Sequence, residues 1–286
     1  DPVDFVEEIA RMHGYGNFPS RLPKGELPKT RENDSLVWQR RVKEYLAGKG
    51  FSEAYSYAFA SLDQIERYFI EPDTTVKIRN PLTVDHQYMR TSLIPTMLST
   101  VEENQARIPE AEIFELAPVY LAKKNDIPDQ ELRLTIGVYG KDGAAGFLRA
   151  KGALEQLFSQ IGIVNWKLQR GADGTRWHLG RSAEILVDEK EVGVIGQVSQ
   201  SVANGFGLDV EVVIMDLNFE ELIPLMTQDK SFTPIPLFPS VKRDLAFIVA
   251  DRTEAESIKE TMLTTSQLAR SFELFDVYRG KGMEEG

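Results

Sequence analysis

Residues 80–98 read NPLTVDHQYMRTSLIPTML, and the second half of this stretch carries a clear helix signal. Ile94, Met97 and Leu98 recur at the spacing that places apolar side chains on one face of a helix. Pro95 falls in the first turn of that helix, where a missing N–H costs no hydrogen bond. The sequence therefore predicts a helix that begins just after position 92.

The segments before this stretch alternate between helix and strand signals. Residues 36–47 are predicted to form a helix, because their apolar side chains share one face and glycines follow. Residues 54–60 are predicted to form a strand, since aromatic side chains occupy alternate positions, and residues 75–79 are a further strand candidate. A helix is also predicted for residues 1–12, followed by a linker rich in glycine and proline.

The segments after this stretch contain more strand signals than helix signals. One helix is predicted at residues 146–161, and a tight turn at residues 188–190 is predicted to close a hairpin. Strands that follow one another along the chain, with helices interspersed irregularly, indicate an α+β fold with an antiparallel sheet. The predicted strands comprise residues 111–121, 132–140, 165–169, 183–187, 192–198 and 210–217.

A second linker is marked by three prolines between residues 234 and 239. Beyond it, the pattern predicts a strand at residues 244–249, a helix from Thr253 and a strand at residues 271–277. Thr253 and Glu256 have the spacing of a capping box, in which each side chain satisfies a free N–H at the helix start. This part of the chain is therefore predicted to form one β-α-β unit.

Composition limits the classes of function that the chain can have. Its 286 residues carry a net charge of −11, whereas proteins that grip nucleic acid by its phosphates are usually basic. The chain has no cysteine, which excludes disulfides and thiolate metal sites. It also has no apolar run long enough to cross a membrane, and its first residues lack the pattern of a signal peptide. We therefore expect a cytoplasmic protein without a membrane partner.

Four parts of the chain resemble, in the same order, the β subunit of bacterial phenylalanine–tRNA ligase. The first is VDFVEEIARMHGYGNFPSRLP, and the second combines GFSEAYSYAF with NPLTVDHQYMRTSLIP. The third combines FELAPVYL with GRSAEI, and the fourth combines FPSVKRDLAFIV with ELFDVYRGKG. Each motif alone is weakly specific, but their joint occurrence in this order is highly specific.

The resemblance implies a C-terminal fragment of that subunit with three parts. Residues 1–28 would be the end of a helix-rich module and a linker, and residues 29–232 a class II synthetase-like core, with an antiparallel sheet flanked by helices, that has lost catalysis. Residues 233–286 would be a ferredoxin-like anticodon-binding domain, expected to be incomplete because the full fold has the order βαββαβ. The implied assembly contains two α and two β subunits, in which the α subunit uses ATP to join phenylalanine to tRNA.

Two missing arginines argue that this chain has no catalytic residues of its own. Amino-acid activation needs cations aimed at the phosphates of ATP, and class II enzymes take one from a Phe-Arg-x-Glu strand. Here Phe114 is followed directly by Glu115. The second arginine would follow a glycine-rich strand, yet no arginine lies between Arg181 and Arg243. We therefore expect a scaffold that contacts the α subunit.

Asp4, Glu7 and Glu8 are the candidate metal ligands. Their spacing of three and four residues places the carboxylates near one helix face, and Mg²⁺ prefers such oxygen ligands. The resemblance implies that this Asp-x-x-Glu-Glu pattern contributes to a magnesium site shared with the α subunit. The alternative is local: Asp4 caps the helix, Glu7 completes a capping box and Glu8 is solvated. In this chain alone we expect an empty or weak site.

Arg90 has two possible roles. The region around it builds the subunit interface in class II folds, so Arg90 could form an ion pair across that interface. Alternatively, it forms an ion pair within the chain or on its surface. The residues leave this choice open, although they favour an interface for the region.

Two other functions remain as alternatives. A divergent adenylating enzyme would need phosphate-binding cations from unexpected places, such as Arg107 or Arg133. A free-standing tRNA-binding module would use Lys242, Arg243 and Phe238, because basic and aromatic residues contact phosphates and bases. A packed position for Phe238 in the linker is the stronger expectation.

Overall fold

A computed structural model describes residues 1–22, 24–25, 32–124, 126–171, 173–229, 232, 234–250 and 253–278. The chain divides into two compact units, Asp1–Lys230 and Ser231–Gly286. No helix among the described residues is long and apolar enough to cross a membrane.

The described part of the first unit contains seven α-helices and nine strands. The helices are α1 (Pro2–His13), α2 (Asp34–Gly48), α3 (Leu62–Arg67), α4 (Ile94–Asn104), α5 (Gly143–Ile161), α6 (Gln200–Gly205) and α7 (Phe219–Leu222). The strands are β1 (Ser52–Glu53), β2 (Phe59–Ala60), β3 (Tyr88–Met89), β4 (Ala111–Leu121), β5 (Asp129–Gly140), β6 (Trp166–Gln169), β7 (Trp177–Val187), β8 (Lys190–Val198) and β9 (Glu211–Asn218). Short 3₁₀ turns occur at Tyr15–Asn17, Pro72–Thr74, Val84–His86 and Ile223–Leu225.

Seven of these strands form one sheet in the order β1-β4-β5-β9-β8-β7-β6. All neighbours are antiparallel except β1, which lies parallel to β4. The strands β2 and β3 pair separately as a small antiparallel ribbon. The predicted α+β fold class, with an antiparallel sheet and flanking helices, is thereby confirmed.

Helices bury both faces of the sheet, because the central strands carry apolar residues on each face. One face packs on α2 and α5, and its fully buried members include Leu134, Ile136 and Phe158. The other face packs on α4 and α6 through residues such as Met97 and Ile214. A sheet covered on both faces reads as a nearly continuous apolar run, which is how β9 reads.

The hairpin predicted at residues 188–190 forms between β7 and β8, with a turn of two residues instead of three. Val187 pairs with Lys190, so the turn residues are Asp188 and Glu189. Both have positive φ, 49° and 65°, as a type I′ turn requires. The predicted core strands and helices also form, with boundaries that differ by a few residues.

Three local predictions are wrong in the first unit. Residues 54–60 form no continuous strand, because only β2 at their end finds a pairing partner. Residues 75–79 contribute a single bridge, from Lys77 to Tyr88. Helix α1 begins at Pro2, since proline suits a first helical position, so Asp1 is its N-cap. The capping roles predicted for Asp4 and Glu7 therefore do not occur.

Helix α3 was not predicted from the sequence, although a signal for it was present. Ser61 and Gln64 form a capping box, in which the Ser61 hydroxyl accepts from the Gln64 backbone N–H and the Gln64 side chain accepts from the Ser61 N–H. A serine followed three residues later by glutamine is a recognised helix start. This helix leads into the segment that covers the cavity described below.

The second unit contains one described helix, α8 (Ala255–Thr265). The strands predicted at residues 244–249 and 271–277 do not form, because a strand needs a hydrogen-bonded neighbour and the described residues offer none. The predicted capping box of Thr253 is also absent, since the N-cap is Glu254 and makes no side-chain bond.

Candidate functional site

A cavity of about 350 Å³ lies on the sheet face that carries α4. Its floor comes from β4, β5, β7, β8 and β9, and its rim from the segment after α3 and the start of α4. The walls are apolar side chains, mainly Ile70, Ile94, Val119, Leu121, Trp177 and Val194. The charged and hydroxyl-bearing lining residues are Tyr68, Thr91, Ser92, Glu131, Arg133, Arg176 and Asp216.

The β5–β9 register brings the charged residues of the floor together. Thr135 lies directly opposite Asp216, and Arg133 lies two residues earlier on the same face of β5. Arg133 donates to one carboxylate oxygen of Asp216, and the Thr135 hydroxyl donates to the other. Glu131 lies 3.8 Å from Arg133 and also accepts from the Asn218 amide at 3.3 Å. Both oxygens of Asp216 are thus bonded, whereas the Oε1 atom of Glu131 has no bond to a described residue.

Tyr68 and Arg176 form the rim opposite this floor. The Arg176 guanidinium lies 5.3 Å from the centre of the Tyr68 ring and donates to the Phe69 carbonyl at 2.7 Å. Burial, with a smaller effect from the Asp216 carboxylate, raises the pKa of Tyr68. The Tyr68 side chain is buried, yet its hydroxyl makes no hydrogen bond with any described residue.

The charges of the cavity balance, which limits its chemistry. Two arginines, Arg133 and Arg176, face two carboxylates, Glu131 and Asp216. A polyphosphate would meet two anions as well as two cations, so the cavity lacks the cationic excess that phosphoryl chemistry requires. The residues present therefore do not fit ATP.

Glu115 occupies the strand position that would supply a phosphate-binding arginine, and it forms a buried ion pair. Glu115 accepts from Arg90 at 2.8 Å and from the Ser56 hydroxyl at 2.7 Å, and both charged side chains are at most 3% exposed. Arg90 also donates to the Pro118 carbonyl at 3.0 Å. Of the two roles considered for Arg90, the ion pair within the chain is confirmed.

The three predicted metal ligands lie on the exposed helix α1. The Asp4 carboxylate is exposed, and Glu8 accepts from Arg11 at 2.6 Å. Glu7 is exposed as well. Carboxylate oxygens suit Mg²⁺, but no group of three His, Asp or Glu residues with metal-binding geometry occurs in the described ranges. Glu8 is 61% exposed, as the local alternative expected, and pairs with Arg11 at the surface.

The remaining candidates are dispersed. Arg107 is exposed in the turn after α4 and does not line the cavity, whereas Arg133 does. In the second unit, Lys242, Arg243 and Phe238 are all exposed, so the packed position expected for Phe238 is wrong. The structure therefore brings only Arg133 of these residues into a site.

Most of the cavity residues were not predicted from the sequence, although one signal pointed to them. Asp216 is a lone carboxylate inside the apolar strand VVIMDL, and a buried charge needs a partner. Glu131, Arg133 and Thr135 alternate along β5, which places them on one face. Recognising the pairing of these two strands would have located the charged floor.

A second feature is an exposed apolar surface on the segments that surround the β2–β3 ribbon, here named the ribbon surface. It consists of Tyr55, Tyr57, Leu82 and Val84, which are 93%, 73%, 95% and 71% exposed. The Tyr57 ring lies 5.3 Å from the ring of His86, which joins the two segments. Clustered exposed apolar side chains of this kind mark interaction sites.

Comparison with known protein families gives two matches. A family described as the phenylalanyl tRNA synthetase beta chain CLM domain matches residues 18–219. A family described as the ferredoxin-fold anticodon binding domain matches residues 236–286. One match lies within each of the two compact units of the chain.

Individual relatives agree with these matches. The chain is 32% identical to the phenylalanine–tRNA ligase beta subunit of Syntrophotalea carbinolica and 31% identical to that of Geobacillus kaustophilus, in both cases over 99% of its length. It spans only 37% of the length of each relative. The solved structure of Desulfitobacterium hafniense PylSc, a pyrrolysyl tRNA synthetase, matches with a TM-score of 0.57 and 13% identity, over 66% of this chain and 68% of that chain. This likeness shows a shared synthetase-like fold.

Proposed function

The chain belongs to the family of phenylalanyl-tRNA synthetase β chains, and on that premise we propose that it acts as a non-catalytic scaffold within phenylalanine–tRNA ligase. The matches to this family confirm the resemblance that four sequence segments indicated. The ribbon surface is the observation that supports the scaffold role. Its two tyrosines, leucine and valine expose apolar area to water, and a partner chain that covered them would bury this area.

The proposed partners are the other chains of the ligase and its tRNA. The α subunit covers the ribbon surface and holds the active site, where ATP and phenylalanine react. A second β chain completes an α2β2 assembly in the cytoplasm. Residues 1–28 are proposed to be the end of a helical module, residues 29–232 the inactive core and residues 233–286 an anticodon-binding domain that contacts tRNA.

The charge balance of the cavity supports an inactive core. Asp216 already neutralises Arg133, which leaves Arg176 as a single cation in a cavity that also holds Glu131, too little positive charge for a triphosphate. Glu115, directly after Phe114, occupies the strand position that would carry an activating arginine. Its carboxylate forms a buried ion pair with Arg90. Activation by this chain alone would therefore lack its electrophilic groups.

A magnesium role for Asp4, Glu7 and Glu8 is proposed only for the assembled enzyme. The three carboxylates do not form a site by themselves, and Arg11 would have to leave Glu8 for a cation to bind there. Titration of the chain with Mg²⁺ should therefore give no saturable binding. Binding that appears only with the α subunit, and that Glu8→Gln weakens, would support the shared site.

The scaffold proposal is tested by mixing the chain with a purified bacterial phenylalanine–tRNA ligase α subunit and measuring co-elution. We expect a complex that charges tRNA weakly or not at all. The double variant Tyr57→Ser, Leu82→Ser should lose co-elution, since it removes apolar area from the ribbon surface. Val164→Ser is the matched control, because Val164 is 89% exposed beside the opposite edge strand, β6.

Two results would overturn the scaffold proposal. One is retention of the complex by the double variant at the same affinity as the control. The other is ATP- and phenylalanine-dependent pyrophosphate exchange by the chain alone, which would favour a divergent adenylating enzyme. Salt-dependent tRNA binding by the chain without any α subunit would instead favour a free-standing tRNA-binding module.

A further inference from the structure

We propose that the cavity on the α4 face of the sheet binds a free α-amino acid with an apolar side chain, held as a zwitterion. The proposal concerns a ligand of this chain itself and does not depend on the scaffold role or on the α subunit. It follows from the charges, the walls and one unbonded hydroxyl of the cavity.

Two charged groups of opposite sign have spare bonding capacity in the cavity. Arg176 has five N–H donors, and its guanidinium donates to only one acceptor among the described residues, the Phe69 carbonyl. Glu131 accepts one long bond from the Asn218 amide and lies 3.8 Å from Arg133. A carboxylate suits the first group and an ammonium suits the second. A ligand that carries both charges offers each of these groups a partner of opposite sign.

The Tyr68 hydroxyl is the second, independent sign of a ligand. The side chain is only 3% exposed, lines the cavity and makes no hydrogen bond to the described residues. The hydroxyl is not sealed off from the cavity, so it is free to bond a ligand there. A carboxylate or ammonium in the cavity would give this hydroxyl a charge-assisted hydrogen bond.

The walls and the volume define the rest of the ligand. Branched aliphatic side chains and Trp177 line the cavity, which suits an apolar side chain. A volume of about 350 Å³ lies near the lower end of the range for small-molecule pockets, roughly 300–1,000 Å³. The cavity is therefore matched to a molecule of amino-acid size and is too small and too evenly charged for a nucleoside triphosphate.

The first test is calorimetric titration of the whole purified chain with L-leucine and L-phenylalanine. The matched probes are L-leucinamide, which lacks the carboxylate, and isocaproate, which lacks the ammonium. We expect leucine or phenylalanine to bind, and each leucine derivative to bind about ten- to a hundredfold more weakly than leucine, because each loses a bond to a charged group. Absence of binding by both amino acids at millimolar concentration would overturn the proposal, as would tighter binding of ATP.

The variants assign the recognition to individual side chains. Tyr68→Phe removes only an unbonded hydroxyl, so the chain should fold normally and bind leucine several-fold more weakly. Tyr139→Phe is the control, since Tyr139 belongs to the same apolar cluster but does not line the cavity. Equal effects of the two substitutions would overturn the assignment.

A third variant separates recognition from a general loss of structure. Arg176→Gln should lower the affinity for leucine to about that for leucinamide, and should leave the affinity for leucinamide unchanged. If Arg176→Gln weakens both ligands equally, the arginine does not bind the carboxylate and the zwitterion proposal fails.

Discussion

At the residue scale, the ion pair between Arg90 and Glu115 is the feature that fixes the loop between β1 and β2. Arg90 donates to the Ser56 hydroxyl at 2.9 Å and to the Tyr57 carbonyl at 3.3 Å, as well as to Glu115. A loop without strand partners is thereby held beside β4. The Arg90 side chain donates hydrogen bonds to backbone carbonyls of this loop, which in a sheet would accept them from a neighbouring strand.

We expect Arg90→Met to lower the free energy of unfolding by about 3–5 kcal/mol, because it leaves the Glu115 carboxylate buried without its cation. Urea unfolding measures the change. The double variant Arg90→Met, Glu115→Met should be more stable than the single variant, since the uncompensated charge is gone.

The control for this prediction is Lys167→Met, which breaks the ion pair between Lys167 and Glu189. Both side chains are substantially exposed, at 44% and 76%, so we expect a change of at most about 1 kcal/mol. Equal effects of Arg90→Met and Lys167→Met would contradict the account of a buried pair.

A second residue-scale prediction concerns alkaline pH and Tyr68. Burial, with the Asp216 carboxylate as a smaller cause, raises the pKa of Tyr68 above the ordinary 10.0. The folded state therefore holds this proton more tightly than the unfolded state. That contribution to stability is fully present below pH 10 and is lost as pH rises beyond it.

We expect the free energy of unfolding of the parent chain to fall more steeply above pH 10 than that of Tyr68→Phe. The difference in slope should approach about 1.4 kcal/mol per pH unit, the limit for one proton. Tyr45 and Tyr139, whose pKa values burial also raises, are present in both proteins and cancel. Parallel slopes in pH-dependent urea unfolding would contradict the assignment to Tyr68.

At the element scale, a turn residue of the hairpin between β7 and β8 has a backbone conformation that its side chain disfavours. Glu189 has a φ of 65°, a left-handed conformation that favours glycine. Its carboxylate accepts from Lys167 at 2.6 Å, but both side chains face solvent. This exposed ion pair is weak, so it offsets little of the cost of the left-handed backbone at Glu189.

We expect Glu189→Gly to leave the free energy of unfolding unchanged or to raise it by up to about 1 kcal/mol, because glycine removes the left-handed penalty. Glu191→Gly, two residues on in extended β8, should instead lower stability by about 0.5–1 kcal/mol. Thermal or urea unfolding compares the two. A loss of similar size at both positions would mean that residue 189 is not strained.

At the scale of the whole molecule, the two units differ in how their backbones are hydrogen-bonded. In the first unit, β5 lies between β4 and β9 with residues paired on both sides. In the second unit, residues 241–249 have no described backbone hydrogen bond, and large apolar side chains such as Ile248 are 87% exposed. Matching a family by sequence thus does not ensure that strands form.

Hydrogen exchange should reveal this difference. We expect the amides of residues 134–138 to exchange only at the free energy of global unfolding, and those of residues 241–249 to exchange with little protection. Exchange followed residue by residue measures both segments in one sample. Equal protection would mean that residues 241–249 pair into a sheet in solution.

The sequence by itself determined the local elements of the first unit and its fold class. Apolar periodicity, the glycines after α2 and the turn at Asp188 and Glu189 act within about ten residues, so each could be predicted from its own segment. The missing arginine beside Phe114 was equally visible, because it depends on one position in one strand.

Only the tertiary structure decided which distant residues meet. The cavity joins Tyr68, Glu131, Arg176 and Asp216 from four separate segments. The pairing of β5 with β9 places the floor residues, and the packing of Arg176 against the Tyr68 ring forms the rim. The ion pair of Arg90 and the unpaired loop before β2 depend on β4 in the same way. Strand pairing and burial join residues that are far apart in the sequence. The periodicity of a strand or helix indicates which side chains face inward, but it does not indicate which other side chains they contact.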